Sequence, residues 1–479
     1  METKPPPVPT ETTPKPTLKL GYVGAAIVVG YLVQALAFRH LPGLGAALAG
    51  LALTLAVRFG PSERQPNRWL IYAAAWFFAA LAFRASEVLI ALNAMAGVIT
   101  VTMAAYSTKR PVAEWTVSQT FLALTVPPVA AAAYGPGTTI RSLPHNRGSS
   151  LGPILVGLLI GIPVLLVFGS LFASADAVFS DLVDKLVRIE FLRELTGHVF
   201  WSLVLGSLLV GLWIFSIRIK DEVLDVRAAP PGRSVETATV LVLLNAMFAL
   251  FVAIQLRYLF GGVEANAVTL SEHARRGFFE LVTVASLVLA VVLVASWAGH
   301  LPTERSTVVN WLSLSLIGLT GLVLVSAVSR MMAYWDGFGL TELRLYTTVF
   351  MTWIAIALAV MIHAIRAGDS RPFVRVVLSA AAILLVSLSV ANPDALIART
   401  NLSREAIIKT DVGYLGGLSV DRVPVVVDYL QTHEIDCSGR LVADIRDDLE
   451  QLDEDPSIFS ESWGSLRAGA AVERLTDCS

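Results

Sequence analysis

The sequence has little charge and almost no cysteine. Only 15% of its 479 residues are charged, against 55% hydrophobic, whereas a soluble domain carries about 25% charge. A chain this apolar needs lipid as its solvent. The formal net charge is −2, so no basic stripe exists to neutralise phosphates, and nucleic acid is excluded as a partner. The two cysteines, Cys437 and Cys478, both stand in the C-terminal tail. Two are too few for a zinc site of the paired CxxC kind. They are candidates for one disulfide if the tail lies outside the cytoplasm; two free thiols are the alternative. HExxH, GxSxG, Walker A and a strand-following GxGxxG are all missing. The Ser, His and Asp residues show no spacing that suggests a triad. No catalytic residue, metal or cofactor is expected.

What is present is a series of long apolar runs. Runs of about 17 to 25 apolar residues are transmembrane candidates. Eleven are read, over residues 20–38, 43–59, 69–83, 87–106, 151–173, 197–217, 236–260, 278–299, 308–329, 343–365 and 374–391. A twelfth, over 115–134, carries Pro127 and Pro128 near its middle. Adjacent prolines remove donors and break a spanning helix, so this segment is expected to be interfacial or re-entrant. Loop charge supports that reading. Six Arg- or Lys-bearing loops fall on one side only if 115–134 does not cross. Twelve spans would put several Arg-rich loops on the wrong side.

The expected fold class is therefore all-α: a polytopic transmembrane helical bundle of about eleven spans, twelve at most, with a small α-helical C-terminal extramembrane region. Composition divides the chain into a disordered Pro-rich cytoplasmic leader (1–19) and N-terminal transmembrane helices (20–110). An interfacial or re-entrant segment with a cytoplasmic loop follows (111–150). Then come a core transmembrane domain (151–391) and an extracytoplasmic helical region (392–479). No cleavable signal peptide is expected ahead of the first run. Within the tail, 421–429 and 441–452 are short helix candidates. Arg greatly outnumbers Lys, and Ala and Val abound. That bias fits a high-GC bacterium, and the expected location is the bacterial inner membrane, with the N-terminus cytoplasmic.

The densest charge near any apolar run lies between Gln255 and Val282. Thr269 and Glu272 form a capping box. Glu272, Arg276 and Glu280 recur every four residues, on one helical face. With this topology the ends of several spans meet on the outer side, where Asp176, Arg257, Glu272, Arg275, Arg276, Glu280, Arg330, Glu342 and Arg344 gather. An ionised group at the centre of a spanning helix costs about 2.5–3.5 kcal/mol. Pairing is therefore expected, of Arg257 with Glu280 or Asp176, and of Arg330 with Glu342. These residues are candidates for a polar pocket that receives an anionic group. Snorkelling and ion pairs that fix helix register explain the same residues structurally. Asn93, Asn245 and His363 inside spans read as interhelical glue.

Three stretches carry a family resemblance: PVLLVFGSLFASADAVFSDLV, then NAMFALFVAIQLRYLFGG with LSEHARRGFFELV, then YWDGFGLTELRLYTTVFMTW with NPDALIARTNLSR. Over about 151–429 the chain resembles a bacterial family of multi-pass membrane proteins known only as a domain of unknown function, the group numbered 4173, which is related to group 4153. His273 stands where the family often has Tyr. The resemblance implies architecture and supplies no substrate, reaction or cofactor. The leading expectation is a non-enzymatic membrane protein that binds or moves an anionic or lipid-linked molecule through the outer Arg/Glu cluster, with membrane lipids around it. A membrane-embedded enzyme acting on a lipid-linked substrate is the second class, and an accessory or signalling subunit the third.

Overall fold

A computed structural model describes residues 18–37, 43–62, 64–109, 111–142, 190–218, 234–260, 278–298, 305–403, 412–433, 442–447 and 462–472. Among them every regular element is a helix. In chain order they are α1 (Leu20–Ala37), α2 (Leu44–Arg58), α3 (Arg68–Ala80), α4 (Glu87–Ser107), a 3₁₀ turn (Val112–Glu114), α5 (Val117–Ser142), α6 (Glu190–Arg218), α7 (Ser234–Phe260), α8 (Phe278–Ala298), α9 (Arg305–Phe338), α10 (Glu342–Ala367) and α11 (Arg371–Ala391). Shorter helices follow: α12 (Pro393–Leu402), α13 (Val412–Gly416), a 3₁₀ turn (Val420–Arg422), α14 (Val423–Thr432), α15 (442–447) and α16 (Trp463–Val472).

Seven helices among the described residues are long and apolar enough to cross a membrane: Leu20–Ala37, Glu87–Ser107, Val117–Thr139, Thr237–Ile254, Thr307–Phe338, Glu342–Ala367 and Arg371–Ala391. Leu44–Arg58, Trp201–Ile217 and Val282–Ala295 are shorter apolar helices. The chain is thus a helical membrane protein. Residues 151–173, read as a span, lie outside the described residues, as do the leader and the capping box at Thr269.

Two details differ from expectation. The segment containing Pro127 and Pro128 is one continuous 26-residue helix, with Pro136 inside it as well. Each proline removes one backbone donor. The carbonyls left without a helical donor are those of Ala123, Leu124 and Ala132, four positions back, and the helix continues past them. The connection expected over 330–342 is also mostly helix, because α9 runs on to Phe338. Aromatic packing supports this last turn: the Tyr334 and Phe338 rings meet with centroids 5.0 Å apart. The turn itself is only Gly339 to Thr341, with Gly339 at φ +79°.

The helices form two compact units. The first comprises Met1–Ala35, Phe59–Glu63 and Val126–Ile219. Within it α1 and the second half of α5 pack on α6 through glycines. A Cβ on Gly206 would lie 2.9 Å from the Ala26 carbonyl oxygen, and one on Gly30 would lie 2.6 Å from the Gly206 nitrogen. Small residues let spanning helices approach this closely. A Gln34–His198 hydrogen bond of 2.5 Å adds a polar tie between α1 and α6.

The second unit comprises Leu36–Arg58, Arg64–Thr125 and Lys220–Ser479. Here α2, α3 and α4 pack in sequence, α9 packs against α7, α8 and α10, and α11 packs against α10 and α4. The intramembrane asparagines are glue, as expected. Asn93 donates to the Leu89 carbonyl at 2.8 Å and to Ser389 Oγ at 3.1 Å, tying α4 to α11. Asn245 donates to the Leu312 carbonyl at 3.0 Å, tying α7 to α9.

The tail helices fold back as a cap. Asn392 makes the reversal: it adopts φ 56°, closes α11 with its backbone N–H on Leu388, and caps α12 by accepting from the Ala395 N–H. Asparagine tolerates this left-handed conformation better than other side-chain-bearing residues. In α14, Val423, Val426, Val427 and Leu430 are buried at spacings of three and four, one apolar face of an amphipathic helix. Each such side chain contributes about 1.5–3 kcal/mol of burial. They join Leu89, Leu345 and Leu388 from the membrane helices, and Leu340 from the turn between α9 and α10, in one hydrophobic cluster with Ile397, Leu415, Ile445 and Ala468. The expected helix at 421–429 is met by the 3₁₀ turn with α14; of the one expected at 441–452, α15 covers 442–447 and the rest lies outside the described residues.

Candidate functional site at the junction of cap and bundle

The cap is held to the bundle by buried polar groups, and these surround a cavity. Three residues of the α3–α4 turn come first. The Arg84 guanidinium donates to the Ser389 carbonyl at 2.7 Å and the Val390 carbonyl at 3.1 Å. It thereby satisfies carbonyls at the end of α11 that no helical N–H reaches. The Ala85 N–H donates to the Asp421 carboxylate at 2.8 Å. The Ala82 carbonyl accepts from the Trp463 N–H at 2.8 Å. One short turn therefore contacts three separate parts of the chain's last hundred residues.

Asp421 is 4% exposed. It receives the Ala85 N–H, faces the Arg84 charge, and lies against Gly464 in the first turn of α16, where a Cβ would collide with its carboxylate. Burial pushes its carboxyl above the ordinary aspartate range, while the backbone donors and Arg84 pull it back down. Asp394, in the first turn of α12, is 0% exposed. Its Oδ2 accepts from the Ser419 N–H at 3.2 Å and from the Ser419 hydroxyl. Burial raises this carboxyl too, against the lowering effect of Ser419 and of the Arg422 charge. Burial likewise raises the Tyr414 phenol, whose oxygen accepts from the Glu342 N–H at 2.7 Å. Asn401 closes the set: its amide exchanges both bonds with Leu340, accepting from the N–H and donating to the carbonyl, each at 2.8 Å.

A cavity of about 210 Å³ opens beside these contacts. Arg84, Arg399 and Arg467 line it, from the α3–α4 turn, α12 and α16, together with Asp421 and the apolar Val390, Leu396 and Val425. Arg399 and Arg467 are exposed, and their guanidiniums make no hydrogen bond or ion pair with the other described residues. Three guanidiniums face one carboxylate. The arrangement can receive an anion with two charge-assisted contacts, which are the strong kind. Among the described residues no group of three His, Cys, Asp or Glu side chains could hold a metal ion.

Of the sequence-level candidates, Asp176, Glu272, Arg275 and Arg276 lie outside the described residues, as do Cys437 and Cys478 and hence their disulfide. Arg257 and Glu280 fall within α7 and α8, but their side chains are not described. Glu342 lies at the start of α10, its carboxyl beside Asp394 and Ser86, where pairing with Arg330 was expected. Arg344 lies 3.9 Å from the centroid of the Tyr334 ring and donates to the Gly339 carbonyl. Glu342 and Arg344 thus serve the junction from α10, while Arg330 sits in α9.

The candidates read from the sequence include none of Arg84, Asp394, Asn401, Asp421 and Arg422. The available signal was an acid placed among apolar residues next to proline, in NPDALIARTN and DRVPVVV.

The chain belongs to the family described as Domain of unknown function (DUF4153), which matches residues 72–429. That is the second of the two related groups named by the resemblance. The matched segment contains Arg84, Glu342, Asp394 and Asp421, and it ends in α14. No curated protein and no solved structure matches the chain.

Proposed function

We propose that this integral membrane protein binds an anionic, lipid-borne group in the cavity lined by Arg84, Arg399 and Arg467. The single observation that carries the reading is the convergence of three guanidiniums from three elements on one cavity at the end of the membrane helices, two of them without a partner among the described residues. The surroundings favour a ligand carried in the membrane. Val390 on the last turn of α11 is 64% exposed, and Phe83 and Leu466, next to Arg84 and Arg467, are each 50% exposed. An apolar rim beside cations at the end of a span suits a phosphate head group with acyl chains below it. The Arg/Glu cluster of Arg257, Arg275, Arg276 and Glu280 is part of the same proposal, its three arginines being a second group of cations for anionic head groups.

The test uses the full chain in a neutral detergent. Phosphatidylglycerol is expected to raise the melting temperature, and phosphatidylcholine and inorganic phosphate are not. The Arg399→Ala/Arg467→Ala double variant should melt at the native temperature without lipid, because neither side chain bonds to the described fold. It should lose the phosphatidylglycerol shift, with affinity reduced about tenfold or more, the weight of one charge-assisted bond. A double variant stabilised as well as the native protein overturns the site. Inorganic phosphate stabilising as strongly as the lipid overturns the lipid-borne ligand.

A further inference from the structure

The junction also holds two carboxyls that face each other. Asp394 Oδ2 is satisfied by Ser419, but Oδ1 is buried with no hydrogen-bond donor among the described residues. A buried acceptor left without a donor is costly, because nothing replaces the water it gave up. The group beside it is the Glu342 carboxyl, which ionised offers only acceptors. We propose that Glu342 and Asp394 form a proton-binding site: the two carboxyls share one proton, and that proton fastens the cap to the membrane helices.

The charges around the pair fit one proton. Asp394 and Asp421 come from the cap, and Glu342 from α10. Arg422 acts on Asp394 from the second 3₁₀ turn, and Arg84 acts on Asp421 from the α3–α4 turn. Three carboxyls thus meet two guanidiniums; Arg399 and Arg467, on the cavity beside Asp421, are exposed to solvent and stand outside this count. At the margin Glu87 of α4 acts on Glu342, and Arg344 of α10 acts on Tyr414; these are one charge of each sign. Ser86, Tyr346, Tyr414 and Ser419 supply neutral hydroxyls around the pair. One proton brings this set to neutrality and gives Oδ1 its donor. Two like charges side by side cannot both ionise cheaply, and such a pair titrates as a whole.

The sign follows. A carboxyl raised in the folded state contributes stability that is present below the ordinary aspartate range and is lost as pH rises through the raised value. Asp394 is raised by burial, so the cap should loosen as pH rises.

Hydrogen exchange of residues 412–433, corrected for intrinsic rates, in the full chain in nanodiscs from pH 5 to pH 9 tests this. Native protection should fall about tenfold or more, the weight of one proton held ten times more tightly by the folded chain than by the unfolded one. Glu342→Gln should flatten the profile, because its amide donates to Oδ1 at every pH. Asp428→Asn, at an exposed position of α14 outside the set, should keep the native slope. If Glu342→Gln fails to fold, Asp394→Asn carries the same expectation. A flat native profile overturns the proposal, as does an unchanged slope in the Gln variant. Protection that depends on added divalent cation, and is lost to a chelator, replaces the proton with a metal ion and overturns it too.

Discussion

At the scale of single residues, the junction depends on groups whose partners are far away in the chain. Ala85 and Asp421 are 336 positions apart, and Leu340 and Asn401 are 61 apart. Periodicity and spacing cannot reveal such pairs, which is why Asp394, Asn401 and Asp421 went unnoticed, although the segment that begins at Asp421 was read as a helix. Gly464 is the most exacting of these positions. It lies against the Asp421 carboxylate with no room for a methyl group. Asp421 cannot retreat without breaking its bond to the Ala85 N–H. Gly464→Ala should therefore destabilise docking of α16 by about 1–3 kcal/mol, the usual cost of overpacking. Faster proteolysis within 462–472 than in the native protein would show it; an unchanged rate would mean that the helix shifts freely on Asp421.

At the scale of elements, hydropathy is a sufficient guide to where helices lie, because each span must satisfy its backbone internally. The runs at 87–106, 343–365 and 374–391 correspond to α4, α10 and α11 within a few residues. The guide fails where hydropathy stops and helix does not. Tyr334 to Phe338 contain a charge and three aromatic residues, which read as a loop, yet aromatic packing and Arg344 over Tyr334 continue the helix. The same holds in α5, where Pro127 and Pro128 predict a break and the helix continues. Helix packing has its own residue code in the first unit, where Gly30 and Gly206 bring α1 against α6. Gly206→Leu should force that crossing apart, at a cost of about 1–3 kcal/mol or more. Thermal unfolding in detergent should show a lower melting temperature. Gly318, inside α9 with open space where a Cβ would stand, supplies the control: Gly318→Ala should not lower the melting temperature.

At the scale of the whole molecule, the second unit has two chemically different ends. Arg58 bonds to Gln65, Arg64 reaches the Lys109 carbonyl, and the Asn67 N–H donates to Ser107, so these residues gather at one end. The α4–α11 tie through Asn93 and Ser389 makes those helices antiparallel, which places Arg366, Arg371 and Arg375 at that same end. The cap lies at the other. There the short α3–α4 turn carries one cation, Arg84, and the Gly339–Thr341 turn carries none. Basic residues in short loops set membrane orientation, whereas tails longer than about 60 residues cross largely regardless of charge. The arginines of the cap therefore do not weigh against an outward cap. The expected orientation puts the basic loops in the cytoplasm and the cap outside. A chain with Cys437 and Cys478 replaced by Ala, and a single new cysteine at Thr432 or at Gln65, tests it with a membrane-impermeant maleimide in spheroplasts of a bacterial host. Thr432→Cys should label in intact spheroplasts, and Gln65→Cys only after permeabilisation. The reverse pattern would place the arginine cavity in the inner leaflet and give it the anionic lipids of that side as ligands.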